Sequence, residues 1–367
     1  MSDFPWLTTL GVIPLVGSVV VAALPAGRAL LAKQVALVVS LAVLVLSVVM
    51  ATGFDPDGER FQFTESYSWI PQFGVRYGLG VDGIALVLIV LAAVLMPIVI
   101  LASWNDADSL TAKRSVGTFG MLRYCLELFP DASTYFTPLV ITLSVIGIVY
   151  GALLAIGQTD IKRLIAYTSI SHFGFIALGV FAMTSQGQAG STLYMINHGF
   201  STAALFLIAG FLIARRGSRL ISDFGGVQSV APVLAGTFLV AGLSSLALPG
   251  LSTFVSEFLV LVGTYIRYPV PAVIGTTGIV LAALYILIMY QRTMTGPVAP
   301  GNDKLPDLRP REVWAVAPLL AVIIGLGVYP KPVLDVITPA VDKTLTSIQM
   351  EDPEPTVPVS SIEGTTK

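Results

Sequence analysis

Three ionisable side chains lie inside long apolar stretches of the sequence, where a charge is costly. Glu257 follows the segment LPGLSTF (248–254), in which Pro and Gly favour a break in a helix. His172 and His198 each stand among hydroxyl, amide and small residues. Ionisable groups in such stretches mark ion or proton pathways in membrane proteins, and histidine titrates near neutral pH. The three residues therefore predict a proton relay.

Each of these residues also has a structural interpretation. A buried glutamate such as Glu257 also serves as a structural carboxylate that is hydrogen bonded to a neighbouring helix. Either histidine alone could equally form hydrogen bonds between helices. A two-histidine metal site is a third option, although no acid lies at ligand spacing near either histidine. Two histidines on neighbouring apolar runs, with Glu257 on the next, favour the relay.

Three more residues, Lys162, Asp82 and Lys113, are accessory candidates. Lys162 stands in the charged stretch 160–163 at the end of an apolar run, which is typical of a topology signal, and its long side chain could reach inward. Asp82 begins another run, and a helix-capping role is favoured there.

Composition indicates that lipid surrounds this chain. Of its 367 residues 55% are hydrophobic and only 11% are charged, and the mean hydropathy is +0.84. Too few charges are present for a soluble surface. A single cysteine, Cys125, excludes an intrachain disulfide and a cysteine metal cluster, so no cofactor is expected in this chain. The net charge of −2 gives no reason to expect nucleic-acid binding.

Apolar runs predict an all-α, polytopic bundle of about ten membrane spans, since a spanning helix needs about 20 apolar residues. The runs lie at 5–24, 34–51, 79–101, 116–129, 138–156, 164–183, 191–214, 231–265, 271–291 and 313–329. The run 116–129 is short for a span. Lys and Arg concentrate in alternate loops, which predicts cytoplasmic basic loops and both termini on the outer side.

These runs divide the chain into segments. Residues 1–105 form a three-span segment whose outer loop, 52–78, could fold into a small cap. An atypical junction at 106–115 leads into a second bundle at 116–330. The tail, 347–367, is rich in Pro, Ser, Thr and Glu, and we expect it to be disordered. The first ten residues lack the basic region of a signal peptide, so the first run is expected to stay as a span.

Five segments resemble the antiporter-like membrane subunits of NADH–quinone oxidoreductase, and most closely the subunit M branch. They are similar to that family's third, eighth, tenth, eleventh and broken twelfth helices, and they read YGLGVDGIALVLIVL (77–91), VGTFGMLRYCLELFPDAS (116–133), IGQTDIKRLIAYTSISHFGFI (156–176), STLYMINHGFSTAALFLIAG (191–210) and LPGLSTFVSEFLVL (248–261).

The resemblance implies a proton-translocating subunit of the bacterial plasma membrane. His172 and His198 match the family's central-axis histidines, and Glu257 matches its exit glutamate. Other membrane subunits of the NADH dehydrogenase would be the partners, and partner subunits would hold the flavin (FMN), the iron–sulfur clusters and the quinone. A non-pumping structural subunit and a subunit of a multi-subunit cation/proton antiporter are the alternatives.

One block of the family pattern is missing. After Trp104 the family continues through four further helices, which carry a glutamate and a lysine, but here 106–115 leads directly into the end of the eighth helix. The family's eighth-helix lysine falls at Ser115, and Lys113 lies roughly 200° away around a helix. There are three explanations for this junction. Either the gene carries an internal deletion or the sequence is spliced together, or the chain is a degenerate non-pumping paralogue, or it is a shorter active transporter. Losing an even number of helices keeps the topology consistent.

Overall fold

The structure, a computed structural model, describes residues 4–24, 29–70, 75–102, 121 and 126–354. It confirms the predicted all-α membrane bundle, with a single two-stranded hairpin in its described part. The helices are α1 (Trp6–Ala23), α2 (Ala29–Thr52), α3 (Gly83–Ala102), α4 (Pro130–Ile156), α5 (Ile161–Ala182), α6 (Ser185–Arg216), α7 (Pro232–Ser245), α8 (Ser252–Arg267), α9 (Pro269–Met294), α10 (Pro310–Val328) and α11 (Lys331–Ser347). The strands are β1 (Gln62–Ile70) and β2 (Val75–Val81).

The helices match the predicted apolar runs. Within the described residues, seven helices are long and apolar enough to cross a membrane, namely α2 to α6, α9 and α10. Helices α1 and α7 are shorter apolar helices. The run 231–265 is divided between α7 and α8, as the predicted break requires. The junction 106–115, Lys113 and most of the run 116–129 lie outside the described residues.

Several helices begin at residues other than those of the predicted runs, and two of these differences have a visible cause. The third run was placed from 79, but β2 continues to Val81 and α3 begins at Gly83. Asp82 lies between them, and its Oδ1 accepts a hydrogen bond from Ala85 N at 2.9 Å, which is the N-cap interaction that the sequence favoured. The run predicted from 191 begins earlier, at Ser185, because the side chain of Thr184 accepts a hydrogen bond from Gly187 N and caps α6.

The strands, α11 and the N-terminus of α1 meet at one end of the bundle, which we call the hairpin face. Glu65 on β1 accepts hydrogen bonds from Leu7 N (2.6 Å), Thr8 N (3.2 Å) and the Thr8 hydroxyl, and so caps α1 from outside that helix. Lys343 of α11 donates to Gly58 O at 2.6 Å, so the predicted cap of 52–78 is a hairpin held by α11.

The sequence analysis did not predict α11, which packs on α3 and α6. A Cβ on Gly83 would lie 2.2 Å from Val336 O, so glycine permits this close approach. The predicted disorder is wrong for the start of the tail. Asp352 accepts hydrogen bonds from the backbone and hydroxyl of Ser185, and Arg267 donates to Glu351 O. Residues 355–367 lie outside the described part.

The opposite end of the bundle, which we call the basic face, holds the α4–α5, α6–α7 and α9–α10 connections. Most described Lys and Arg residues stand there, namely Lys33, Lys162, Arg163, Arg215, Arg216, Arg219, Arg292, Lys304, Arg309 and Arg311. The first and last described residues both lie toward the hairpin face, as the hydrogen bonds of Leu7 and Asp352 show. The even topology is thus as expected, and which face is cytoplasmic stays a prediction.

The break between α7 and α8 spans residues 246–251 and ends α7 by a Schellman-type arrangement. Leu248 N donates to Leu243 O at 3.1 Å and Ala247 N donates to Ser244 O at 3.0 Å, while Ala247 adopts a left-handed conformation with φ 61°. Pro249 follows and has no N–H to continue the helix. Backbone carbonyls at the end of α7 are therefore satisfied within the chain.

Helix α10 covers this break. A Cβ on Gly327 would lie 2.3 Å from Gly250 O and 2.4 Å from Leu251 Cα, so only glycine allows the two backbones to touch. Gly325, two residues earlier on α10, has open space around it.

We predict that Glu65→Ala lowers the free energy of unfolding by about 1 to 2 kcal/mol, because α1 loses its cap. Thermal unfolding of the purified chain in detergent measures the change. Glu59→Ala, an exposed acid of the same loop, is the control and should leave the midpoint unchanged. Equal midpoints for both variants would contradict the capping role.

We also predict that Gly327→Ala destabilises the chain by about 1 to 3 kcal/mol, because the added methyl group overpacks against the break. Denaturation by titrated SDS in mixed micelles reports the difference. The matched variant Gly325→Ala meets nothing and should behave as the unsubstituted chain does. A Gly327→Ala chain as stable as Gly325→Ala would show that the contact is not tight.

Candidate functional site

The predicted relay residues come together in the middle of the bundle. His172 on α5, His198 on α6 and Glu257 on α8 are 3%, 8% and 2% exposed. The helices that carry them pack directly against each other. Close packing here depends on small residues: a Cβ on Gly190 would lie 2.7 Å from Leu259 Cβ, so α6 and α8 approach at glycine.

His172 is hydrogen bonded at both ring nitrogens. Its Nδ1 and the Tyr194 hydroxyl are 2.6 Å apart, and its Nε2 and the Ser245 hydroxyl are 3.3 Å apart. Tyr194 stands on α6, and Ser245 is the last residue of α7, immediately before the break. An imidazole with a partner on each nitrogen can accept a proton on one side and release one on the other. The break therefore places a hydroxyl where such transfer needs it.

His198 lies beside His172, with their ring centroids 5.1 Å apart. The Thr202 hydroxyl, one turn further along α6, is 3.1 Å from His198 Nδ1. Phe173 packs edge-on against the His198 ring, with centroids 5.4 Å apart. The two imidazoles thus form the centre of a short polar file between α5 and α6.

Glu257 lies on α8, which packs on both α5 and α6. Its carboxyl group acts electrostatically on the hydroxyls of Tyr194 and Tyr285. Both tyrosines are at most 1% exposed. We call the buried group of Glu257, Tyr194, His172 and His198 the polar file.

The sequence analysis missed both tyrosines. Tyr194 precedes His198 by four residues, so the two share a face of α6, and this spacing was the available signal. Tyr285 lies on α9 in an otherwise apolar stretch, where no pattern in the sequence distinguishes it from a packing residue.

Further polar atoms are buried on α6, α8 and α9. Asn197 Nδ2 donates to Ser252 O (2.6 Å) and Ser256 Oγ (3.2 Å), which ties α6 to the first turn of α8. Several buried oxygens have no hydrogen-bond partner among the described residues, among them Asn197 Oδ1, Ser201 Oγ, Ser252 Oγ and Tyr285 Oη. Buried polar atoms of this kind are the positions at which proteins hold ordered water.

The accessory candidates are not part of this file. Lys162 is half-buried in the first turn of α5, ten residues and roughly 15 Å along the helix from His172. Asp82 caps α3 at the hairpin face. Lys113 lies outside the described residues. No group of three or more His, Cys, Asp or Glu side chains that could hold a metal ion occurs in the described part of the chain.

An apolar layer separates the histidines from the basic face. On α5 it consists of Ile161, Leu164 and Ile165, which are at most 3% exposed. On α6, Leu205, Ile208 and Leu212 are fully buried at the same depth. These buried apolar side chains of α5 and α6 lie between the two histidines and the basic face.

Comparison with known proteins places this bundle in one family. The family model described as "NADH:quinone oxidoreductase/Mrp antiporter, TM" matches residues 86–283. NADH-quinone oxidoreductase subunit M of Mycobacterium tuberculosis is 41% identical over 535 aligned positions, which cover 97% of each protein. Because the chain has 367 residues, that relative contains a long block which is absent here. Subunit M of Pseudomonas aeruginosa is 40% identical over 66% of this chain and 50% of its own length.

Solved structures share the fold. A chain of respiratory complex I from Thermus thermophilus superposes with a TM-score of 0.78 at 19% identity, covering 92% of this chain and 99% of that one. A chain of the Mrp complex from Dietzia superposes with a TM-score of 0.57 at 17% identity, over 94% of this chain and 68% of that one. The sequence match over nearly the whole chain, carried by the same buried helices, shows that this protein belongs to the subunit M family of NADH–quinone oxidoreductase membrane proteins.

Proposed function

We propose that this chain is a proton-translocating membrane subunit of NADH–quinone oxidoreductase, in which electron transfer to quinone elsewhere in the complex drives proton export. The relatives that match over the whole chain carry the name of that oxidoreductase, whereas the Mrp antiporter likeness is one of fold. This difference favours the dehydrogenase over a cation/proton antiporter. The carrying observation is the buried file of Glu257, Tyr194, His172 and His198.

The chemistry of the file is proton transfer through hydroxyl and imidazole groups. A proton that arrives from the His198 side enters His172 at Nε2, whose partner is the Ser245 hydroxyl, and His172 releases a proton from Nδ1 to the Tyr194 hydroxyl. The Tyr194 hydroxyl hands a proton on as it receives one, and Glu257 is the final acceptor. Each transfer exchanges one proton between groups that keep their covalent bonds, so no cofactor is required in this chain.

The direction of transport follows from the two faces. Positive residues favour the cytoplasmic side of a membrane, so the basic face is cytoplasmic and the hairpin face is outside. Helix α8 runs from the break toward the hairpin face, and Glu257 stands in its second turn. Glu257 therefore releases protons to the outer side of the bacterial plasma membrane.

The partners are the other membrane subunits of the dehydrogenase. FMN, the iron–sulfur clusters and the quinone belong to partner subunits, because the polar file offers hydroxyl, imidazole and carboxyl groups suited to protons rather than electrons. The exposed apolar side chains of α4, among them Tyr135, Leu143 and Leu153, provide surface for lipid or neighbouring helices.

One observation favours a second function, that of a structural membrane subunit without transport. An apolar layer on α5 and α6 lies between the polar file and the basic face. The Mycobacterium relative has a long block that this chain lacks, and the family resemblance implies that the missing stretch would carry a glutamate and a lysine. Measurement of transport in the assembled complex separates the two functions.

We predict that Glu257→Gln lowers proton translocation roughly a hundredfold or more, because the final acceptor of the file is lost. Inverted membrane vesicles that contain the complex carrying this chain are energised with NADH, and a pH-sensitive dye reports proton uptake. Glu59→Gln, on the exposed outer loop, is the matched control.

Three outcomes are informative in this experiment. Loss of proton uptake with Glu257→Gln but not with Glu59→Gln supports the proposed role. Unchanged uptake with Glu257→Gln contradicts it. A complex in which the unsubstituted chain and both variants translocate equally few protons identifies the structural subunit.

We further predict that Tyr194→Phe lowers the translocation rate by roughly five- to tenfold, since a hydrogen bond of about 1 kcal/mol is removed from the middle of the file. The ring and its packing against Phe175 stay in place. Tyr150→Phe on the exposed side of α4 serves as the control. A Tyr194→Phe complex that translocates at the full rate would show that protons bypass this hydroxyl.

A further inference from the structure

At the basic face, three charged residues join the ends of α6, α7 and α10, and we call Arg215, Asp307 and Glu312 the clasp. Arg215 in the last turn of α6 forms an ion pair with Glu312 in the first turn of α10, and their side chains are 8% and 10% exposed. Arg215 also donates to Pro306 O (2.8 Å) and Asp307 O (3.0 Å). The guanidinium thus holds the segment before α10 against the end of α6.

Asp307 uses its side chain to hold α7. Its Oδ2 accepts from Val233 N at 2.9 Å, and its Oδ1 accepts from Leu234 N at 2.8 Å. These are free N–H groups at the start of α7, where the helix has no side-chain cap of its own. The carboxylate also favours the positive end of the helix dipole.

Helix α7 carries this contact to the relay. Its 14 residues form a rod of roughly 21 Å that begins at the clasp and ends at Ser245, whose hydroxyl lies 3.3 Å from His172 Nε2. The break after Ser245 interrupts the helix before α8, so α7 is held by its packing against α6, α9 and α10 and by the contacts of its first turn. The clasp supplies the side-chain hydrogen bonds at that first turn.

Helix α10 makes contacts near both ends of α7. Glu312 in its first turn belongs to the clasp, and Gly327 in its last turn lies against Gly250 and Leu251 of the break. A displacement of α10 relative to α6 therefore acts on both ends of α7. This arrangement distinguishes the clasp from an ordinary surface ion pair, which would contact a single helix terminus.

We propose that the clasp is a positioning site for the proton relay, in which Asp307 sets the position of α7 and thereby the contact between Ser245 and His172. The expected effect on proton translocation rests on the proposed relay function. The mechanical link from Asp307 to His172 does not depend on transport. Neither Asp307 nor Arg215 contacts a histidine, so both act through α7.

The link is tested by solid-state NMR of the full chain in lipid bilayers, with nitrogen-15 in its histidines. The chain has only two histidines, so His172 and His198 give separate signals that a His198→Gln variant assigns. We expect Asp307→Ala to shift the His172 ring-nitrogen signals and to leave His198 largely unchanged. Asp303→Ala, an exposed acid four residues earlier, should shift neither. Unshifted His172 signals in Asp307→Ala, or equal shifts in Asp303→Ala, overturn the proposal.

A second variant, Asp307→Asn, keeps the test decisive if Asp307→Ala does not fold. Asn keeps an oxygen that accepts from Leu234 N but has no acceptor for Val233 N, so Asp307→Asn should give a smaller His172 shift than Asp307→Ala. If Asp307→Ala does not fold, Asp307→Asn alone decides: a shift confined to His172 supports the clasp, and its absence overturns it.

Measurement of proton translocation in the assembled complex separates the positioning role of the clasp from the proposed relay function. We expect Asp307→Ala to lower it roughly fivefold, the factor that corresponds to a lost cap of typical strength. A His172 shift with unchanged translocation keeps the positioning link and contradicts the relay function instead. Lowered translocation without a His172 shift overturns the clasp and leaves the relay standing.

Discussion

A helix that breaks in the middle of a membrane must satisfy its free backbone groups from the protein itself, and this constraint organises the bundle. Lipid offers no hydrogen bonds at that depth. The chain meets the demand with the Schellman-type end of α7. The backbone of α10 packs over the break, and this approach is possible because residue 327 is glycine. The same break frees Ser245 to face His172 and places Glu257 one turn into α8. The structural solution and the polar site are therefore one feature.

Burial of an acid in such a bundle is costly unless polar groups surround it. Glu257 acts electrostatically on the hydroxyls of Tyr194 and Tyr285. Glu312 at the basic face instead forms an ion pair with Arg215. These two buried acids have different surroundings: Glu312 joins two helices by an ion pair, whereas Glu257 lies in the polar file that we propose for proton transfer.

The sequence predicted the spans, the break and the three ionisable residues, because each has a local cause. Apolar length identifies a span, Pro249 and Gly250 identify the break, and rarity identifies His172, His198 and Glu257. It did not predict Tyr285, α11 or the cap that Glu65 provides, since these depend on which distant segments meet. Asp307 and Glu65 show why such contacts cannot be predicted from the sequence. Each caps a helix far from it in the sequence, and no spacing rule relates the partners.

The missing block changes what family membership implies for this chain. Helix α3 packs on α6 directly, with Leu91 within 3.0 Å of where a Cβ on Gly199 would lie, next to His198. An apolar helix therefore borders the end of the file at which protons would arrive. Absence of an even number of helices preserves the direction of every later span, so α5 to α10 are compatible with the fold that the family shares. Helix packing is enough to maintain this fold, whereas proton transport also requires a continuous polar route across the bundle.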